Sequence, residues 1–335
     1  MRITFRIGLL ILAISVAVTF LAGGCKKEKS NASTTTKPTG KLTKVKLALN
    51  WKPEPQFGGF YAAQQIGAYA SRGLDVEIMP GGSGTPTVQM VAAGQAEFGI
   101  VSADELVIAR SKGADVVALF ATYQTNPQGI MTHASRGFKD IGDVFKGGGT
   151  LAMQRGLPYA EFLVNKYGEN GVKIVPYAGG IGIFLKDKQF SQQCFVTSEP
   201  ILARKSGAEE KTFLIADAGY NPYTTVVVTR GSYLRQHEHE THQMTLAVRD
   251  GWRAYLDDPA KANEAMAKLN PSMDAETFTA SAEAQKPLIE PKGYHVGGLG
   301  GMNSDRWETL IGQLQTLRMI DVVPRADDCF VLPPR

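Results

Sequence analysis

From residue 45 onward the chain alternates short β-branched runs with helical runs, and that alternation leaves few folds open. Val45-Lys46-Leu47-Ala48-Leu49-Asn50-Trp51 alternates in polarity and predicts a strand, and 59–69 predicts a helix ended by Arg72-Gly73. A strand over 75–79 is cut by Pro80-Gly81-Gly82, and a helix over 85–93 opens with Thr85 as cap and Pro86 at its first position. Strand 96–101, helix 103–112 and strand 115–122 complete a first round. A second round runs through helix 138–145, strand 150–154, helix 158–167, strand 172–177, helix 182–189, strand 193–197, helix 200–205 and strand 212–216. Strand 224–229 follows, and after it come helices only, over 233–256, 259–269, 275–285 and 304–319. Strands separated by helices of this length mean βαβ units and largely parallel sheets.

About 290 residues in this pattern exceed one typical domain. The expectation is two α/β lobes with a ligand cleft between them and two crossovers. Lobe 1 comprises 45–132 and 226–335, and lobe 2 comprises 133–225, with the chain crossing near 132–136 and again near 218–226. A ligand then sits at the carboxyl ends of the strands and is buried when the lobes close about a hinge.

Residues 1–25 form a separate unit. Arg2 and Arg6 precede an uncharged apolar run, Ile7 to Leu21, and Leu21-Ala22-Gly23-Gly24-Cys25 ends it. The run is short for a bilayer span, which takes about 20 apolar residues, and reads as a secretory signal. A Cys behind small residues resembles a bacterial lipobox, with Cys25 as the lipidated new N-terminus. Residues 26–44 are polar, lack apolar periodicity and read as a disordered tether. Residues 1–44 hold eight basic and one acidic residue, which leaves 28 basic and 31 acidic residues in 45–335. The folded part is thus mildly acidic, which excludes a broad nucleic-acid surface. Of the three cysteines, Cys194 and Cys329 remain, and sequence alone leaves their pairing open.

Trp51-Lys52-Pro53-Glu54-Pro55-Gln56-Phe57-Gly58-Gly59-Phe60-Tyr61-Ala62-Ala63 resembles the opening motif of the NMT1/THI5-like solute-binding proteins, in the SsuA/THI5 group of type II periplasmic binding folds. Gly67-Ala68-Tyr69, Gly73-Leu74-Asp75-Val76, Gly94-Gln95-Ala96-Glu97-Phe98-Gly99-Ile100 and Val196-Thr197-Ser198-Glu199-Pro200 extend the resemblance over roughly 45–260. It implies a type II periplasmic binding protein-like fold, an ABC permease as partner, and ligands such as pyrimidine precursors of thiamine, flavins or small sulfonates. Two departures stand against the family's synthases. Phe57 occupies the position where many relatives carry His, and the synthases' Cys-rich stretch is represented by Cys194 alone.

Candidate ligand-binding groups lie at predicted strand ends and loops. Trp51, Phe57, Tyr61, Tyr123, Tyr159 and Tyr223 offer rings to a flat ligand. Gly82, Ser83, Gly84 and Thr85 form a Gly-rich turn before a helix, a place where backbone N–H groups cradle anions. Glu199 starts a helix after a strand and suits ring N–H or amino donors. Gln154 and Arg155 follow another strand, with Arg155 suited to a phosphate or carboxylate. Glu54 and Ser102 complete the set. No catalytic set, cofactor loop or metal motif emerges: His237-Glu238-His239-Glu240-Thr241-His242 lacks the HExxH spacing, and Gly81 to Pro86 fits neither a Walker loop nor GxGxxG. The reading is a monomeric, lipid-anchored, extracytoplasmic binding protein rather than an enzyme, with a synthase, a sulfonate binder and a sensor on the same fold as alternatives. Replacing Cys25 by Ser is expected to release the protein from the membrane fraction; an acylated Cys25→Ser protein would contradict the lipobox reading.

Overall fold

The computed structural model describes residues 41–293 and 298–332. The signal segment, Cys25, the tether up to residue 40 and the Pro333-Pro334 pair lie outside the described residues. The expected tether is shorter than 26–44 at its end, because the first strand already begins at Thr43.

In chain order the strands are β1 (Thr43–Ala48), β2 (Leu74–Met79), β3 (Phe98–Val101), β4 (Val116–Tyr123), β5 (Gln128–His133), β6 (Thr150–Ala152), β7 (Lys173–Val175), β8 (Phe190–Phe195), β9 (Glu210–Leu214) and β10 (Thr224–Arg230). The helices of the first half are α1 (Gly58–Gln65), α2 (Ala68–Ser71), α3 (Thr87–Ala92), α4 (Ala103–Ser111), α5 (Ile141–Lys146), α6 (Pro158–Tyr167), α7 (Gly182–Lys186) and α8 (Glu199–Lys205). Those that follow are α9 (Gly231–Gln236), α10 (Glu238–Asp257), α11 (Ala260–Leu269), α12 (Ala275–Ile289), α13 (Ser304–Thr316) and α14 (Ala326–Cys329). The single helix expected over 233–256 is two, because His237 leaves helical geometry between α9 and α10.

Two five-stranded sheets result, ordered β2-β1-β3-β10-β4 and β7-β6-β8-β5-β9. Both are built alike. The first three positions pair in parallel, as βαβ units require, and the fourth strand runs antiparallel to both its neighbours. In each sheet that antiparallel strand is the first to arrive from the other lobe: β5 on the way out and β10 on the way back. The expected two α/β lobes are therefore present. Their first crossing is earlier than 132–136, since β5 already pairs with β8 and β9, and the chain leaves the first sheet between Tyr123 and Gln128. β5 was not expected as a strand. Its sequence, Gln-Gly-Ile-Met-Thr-His, is mixed in polarity, and it is made a strand by neighbours on both sides. The return crossing occupies 215–223, between β9 and β10.

One side chain of α13 binds both crossings. Arg306 donates from Nη1 to the Gln124 carbonyl (2.7 Å), from Nε to the Asn221 carbonyl (2.8 Å) and from Nη2 to the Pro222 carbonyl (3.2 Å) and Asn221 Oδ1 (3.1 Å). Its guanidinium lies 3.9 Å from the Tyr223 ring centroid. The planar five-donor fork suits several carbonyls at once, a task a lysine would not perform. Farther out, Lys205 at the end of α8 meets Asp274 (2.8 Å) and Glu276 (2.6 Å) at the start of α12, so the lobes also touch through these helices.

The C-terminal helices return to lobe 1. α10 lies against α1, where Phe60 meets Trp252 edge to face at 5.7 Å. The approach is close because both helices present glycine. A Cβ on Gly59 would fall 2.2 Å from the Trp252 ring, and one on Gly251 would fall 2.2 Å from the Gly59 carbonyl oxygen. The Gly58-Gly59 pair of the opening motif is thus a packing device rather than a ligand contact. Cys194 and Cys329 are buried and free, in separate clusters of the core. Gly251→Val is expected to cost about 3 kcal/mol, the upper range for overpacking a core, read as a lowered midpoint in scanning calorimetry; an unchanged midpoint would contradict the packing role.

Candidate functional site

In α/β sheets of this kind a ligand crevice is expected at the carboxyl ends of the parallel strands, and there Glu54 and Tyr123 of lobe 1 come near Glu199 and Thr197 of lobe 2. On the lobe 1 side the 49–54 loop follows β1. It brings Trp51, 38% exposed, and Glu54, partly buried, to the crevice. Burial pushes the Glu54 carboxyl up to about 7, and the nearby Glu199 charge adds to this; hydrogen bonding to the Trp51 indole, the Lys52 charge and hydrogen bonding to the Asn270 amide oppose it. Glu54 is extended, as the residue before a proline must be, and Pro53 and Pro55 on either side are buried.

The opposite wall is lobe 2. Glu199 opens α8 directly after β8, and its two oxygens accept from the Tyr177 hydroxyl (2.9 Å) and the Phe195 N–H (2.8 Å). Burial raises this carboxyl too, while hydrogen bonds from its own backbone N–H, from that of Phe195 and from the Tyr177 hydroxyl favour the charged form and pull it back down. Between the walls, the buried Tyr123 donates to Gln285 Oε1 at 2.6 Å and hydrogen-bonds Thr197 of lobe 2. Burial lifts the Tyr123 hydroxyl far above its ordinary range, so it remains a donor. The crevice therefore sets two carboxylates from opposite lobes against one another, beside an indole ring. Such a pair repels anions and asks for a guest with N–H donors or positive charge.

Trp51, Glu54, Tyr123 and Glu199 of the expected set come together here. Others stand elsewhere. Phe57 and Tyr61 are buried in the lobe 1 core with Phe60, Tyr69 and Trp252, Phe57 at the end of the short turn Pro55–Phe57 and Tyr61 on α1. Tyr159 lies in the core and turns its hydroxyl to the Gln193 amide oxygen. Gln154 donates its N–H to the same amide oxygen (2.7 Å), so this network shapes the loop after β6. Arg155 is half exposed and pairs with Glu169, which leaves it a surface residue. Tyr223 is buried, accepts from the Asn303 N–H (3.1 Å) and serves the return crossing. Ser102 caps α4 in a reciprocal capping box with Glu105. The Gly-rich turn satisfies itself: the Gly82 N–H donates to Thr85 Oγ1 at 2.9 Å, Ser83 and Gly84 are exposed, and α3 behind it spans six residues only.

Sequence reasoning passed over Tyr177, Thr197, Asn270 and Gln285. Tyr177 ends the expected strand 172–177, so the strand-end rule that selected Glu199 also reaches it. Asn270 and Gln285 come from the C-terminal helices, and only the tertiary fold brings them to the 53–55 loop. Cys194 lies behind Glu199; burial first, then the Glu199 and Glu210 charges, push its thiol well up, which makes it a poor nucleophile. Among the described residues, no three His, Cys, Asp or Glu side chains gather to hold a metal ion.

A family model described as NMT1/THI5 like matches residues 54–262. The chain is 22% identical over 333 residues to the formylaminopyrimidine-binding protein of Halalkalibacterium halodurans, covering 96% of this chain and 97% of that relative. Over 102 residues it is 26% identical to the 4-amino-5-hydroxymethyl-2-methylpyrimidine phosphate synthase of Legionella pneumophila, a match to 30% of this chain and 32% of the synthase. Among solved structures, the periplasmic aliphatic sulphonate binding protein SsuA from Escherichia coli superposes with a TM-score of 0.68 at 11% identity, over 87% of this chain and 93% of that one. The two lobes are those of the periplasmic-binding-protein fold.

The raised Glu54 carboxyl has a measurable consequence for stability. Between its ordinary value, near 4.5, and about 7 the folded protein holds a proton that the unfolded chain has released. The Glu54 contribution is thus fully present below 4.5 and is lost as pH rises through about 7. Denaturant unfolding of ligand-free wild type against Glu54→Gln is expected to show wild type losing stability relative to the variant across that window; parallel curves would contradict the burial of Glu54.

Proposed function

We propose, from the premise that the chain belongs to the NMT1/THI5-like family, that it is an extracytoplasmic solute-binding protein for a small amino-substituted heteroaromatic ring. The ring is of the thiamine-pyrimidine-precursor kind, and the protein delivers it to an ABC importer while anchored through a lipid on Cys25. The observation that carries this reading is that Glu199 of lobe 2 stands near enough to Glu54 of lobe 1 for its charge to raise the Glu54 carboxyl. An aminopyrimidine presents amino hydrogens at its edge and a flat face, which matches carboxylate acceptors beside the Trp51 indole. The name of the relative from Halalkalibacterium halodurans, matched over nearly the whole of both chains, agrees with this ligand class. A sulfonate or a phosphorylated ring would place its anionic group against the same carboxylates.

A second reading, a pyrimidine synthase, has the partial match to the Legionella pneumophila synthase in its favour. Against it stand Phe57 in the core at the position of the expected His, and a buried Cys194 with a raised thiol. Binding alone needs a crevice with a ring and a few polar groups, and the Trp51 indole near Glu54 supports that reading.

Thermal shift against formylaminopyrimidine, 4-amino-5-hydroxymethyl-2-methylpyrimidine, its phosphate, thiamine and an alkanesulfonate tests the reading. A ligand at 100 times its Kd adds about 2.7 kcal/mol of stability. The expected result is a raised midpoint with an unphosphorylated aminopyrimidine, the ligand recovered unchanged by mass spectrometry, and loss of the shift in Trp51→Ala. A shift with the sulfonate alone would contradict the ligand class, and turnover of the ligand would favour the synthase.

A further inference from the structure

Glu54 lies between two buried prolines, and each proline carbonyl is held by a side-chain amide from a C-terminal helix region. Asn270, at the end of α11, donates Nδ2–H to the Pro53 carbonyl at 3.1 Å. Gln285, on α12, donates Nε2–H to the Pro55 carbonyl at 3.0 Å. Both amides are themselves fixed. Gln285 Oε1 accepts from the Tyr123 hydroxyl at 2.6 Å, and Asn270 Oδ1 accepts from the Ser272 hydroxyl. Asn270 is 3% exposed and Gln285 fully buried, so neither amide has water as an alternative partner.

The prolines explain why such a mount is needed and why it works. Each has φ locked by its ring and no N–H to offer, so the segment holds itself in place through carbonyls alone. The Pro53 and Pro55 carbonyls are held by the two amides and the Glu54 carbonyl by the Phe57 N–H (2.8 Å), so the peptide planes from Pro53 through Pro55 are fixed about Glu54. We propose that Asn270 and Gln285 are positioning residues that hold the Glu54 carboxylate in the cleft, the C-terminal helices thereby setting how lobe 1 presents its acid to a ligand. This rests on the reading of Glu54 as a ligand-facing group. It assigns a role in recognition to residues 270 and 285, which lie beyond the 54–262 span of the family model.

The charged and titratable groups facing Glu54 are Glu199 on α8, Lys52 in its own loop and Tyr123 on β4, with hydrogen bonds from Trp51 and Asn270. Glu54 therefore reports on its own mount. Removing Asn270 takes a donor from the carboxylate and raises its midpoint. Removing Gln285 frees the Pro55 side and lets the carboxylate swing to water, which lowers it.

The experiment is a carboxyl carbon-13 titration of ligand-free protein, with Glu54 assigned by its disappearance in Glu54→Gln. The expected midpoint is about 7 in wild type, higher by about half a pH unit or more in Asn270→Leu, and lower by a similar amount in Gln285→Met. Asn270→Ser, which keeps a short donor, is expected to stay nearer wild type than Asn270→Leu. Midpoints unchanged in both Asn270→Leu and Gln285→Met, with folding verified by calorimetry, would overturn the proposal; should one variant fail to fold, the other decides alone. The titration is read without ligand, so its outcome stands whether or not the ligand reading survives Glu54→Gln in a binding assay.

Discussion

Two carboxylates of like charge, Glu54 from lobe 1 and Glu199 from lobe 2, lie within electrostatic reach of each other in a desolvated crevice. Closing a cleft on such a pair is unfavourable unless a proton or a donor-rich guest intervenes. Each acid is accordingly given help. Tyr177 and the Phe195 N–H serve Glu199, while the Trp51 indole and Asn270 serve Glu54. On the proposed reading, a ligand with N–H groups would relieve the remaining imbalance.

The fold makes that confrontation possible by its two crossings. The antiparallel strands β5 and β10 each enter a sheet directly from the other lobe, so the lobes are linked through short segments, 124–127 and 215–223. Arg306 binds both segments at once, and Asp104 at the start of α4 accepts from the Tyr220 hydroxyl of the second at 2.8 Å. These contacts tie the two crossing segments to lobe 1 at one place.

Much of this was legible in the residues. Alternating strand and helix runs carry the two lobes, and strand-end placement picks out Glu199 and Trp51, because local periodicity and βαβ geometry act over short distances. β5 was not legible: its polarity is mixed, and two neighbouring strands decide its conformation. Aromatic rings misled for the same reason in reverse. Phe57, Tyr61, Tyr159 and Tyr223 sit close in sequence to the crevice loops, yet helix periodicity and core packing turn them inward. Asn270 and Gln285 carry no local sign of their contacts with residues 53–55, since those contacts span more than 200 positions of sequence.

The most direct measurement is a double-mutant cycle on aminopyrimidine affinity with Glu54→Gln, Glu199→Gln and the double variant, read by calorimetric titration. If the two acids grip one ligand and repel each other without it, the first replacement already relieves the repulsion, and the two effects are expected to depart from additivity by more than about 0.5 kcal/mol. Strictly additive effects, or affinity indifferent to both replacements, would contradict a ligand held between the lobes by this pair.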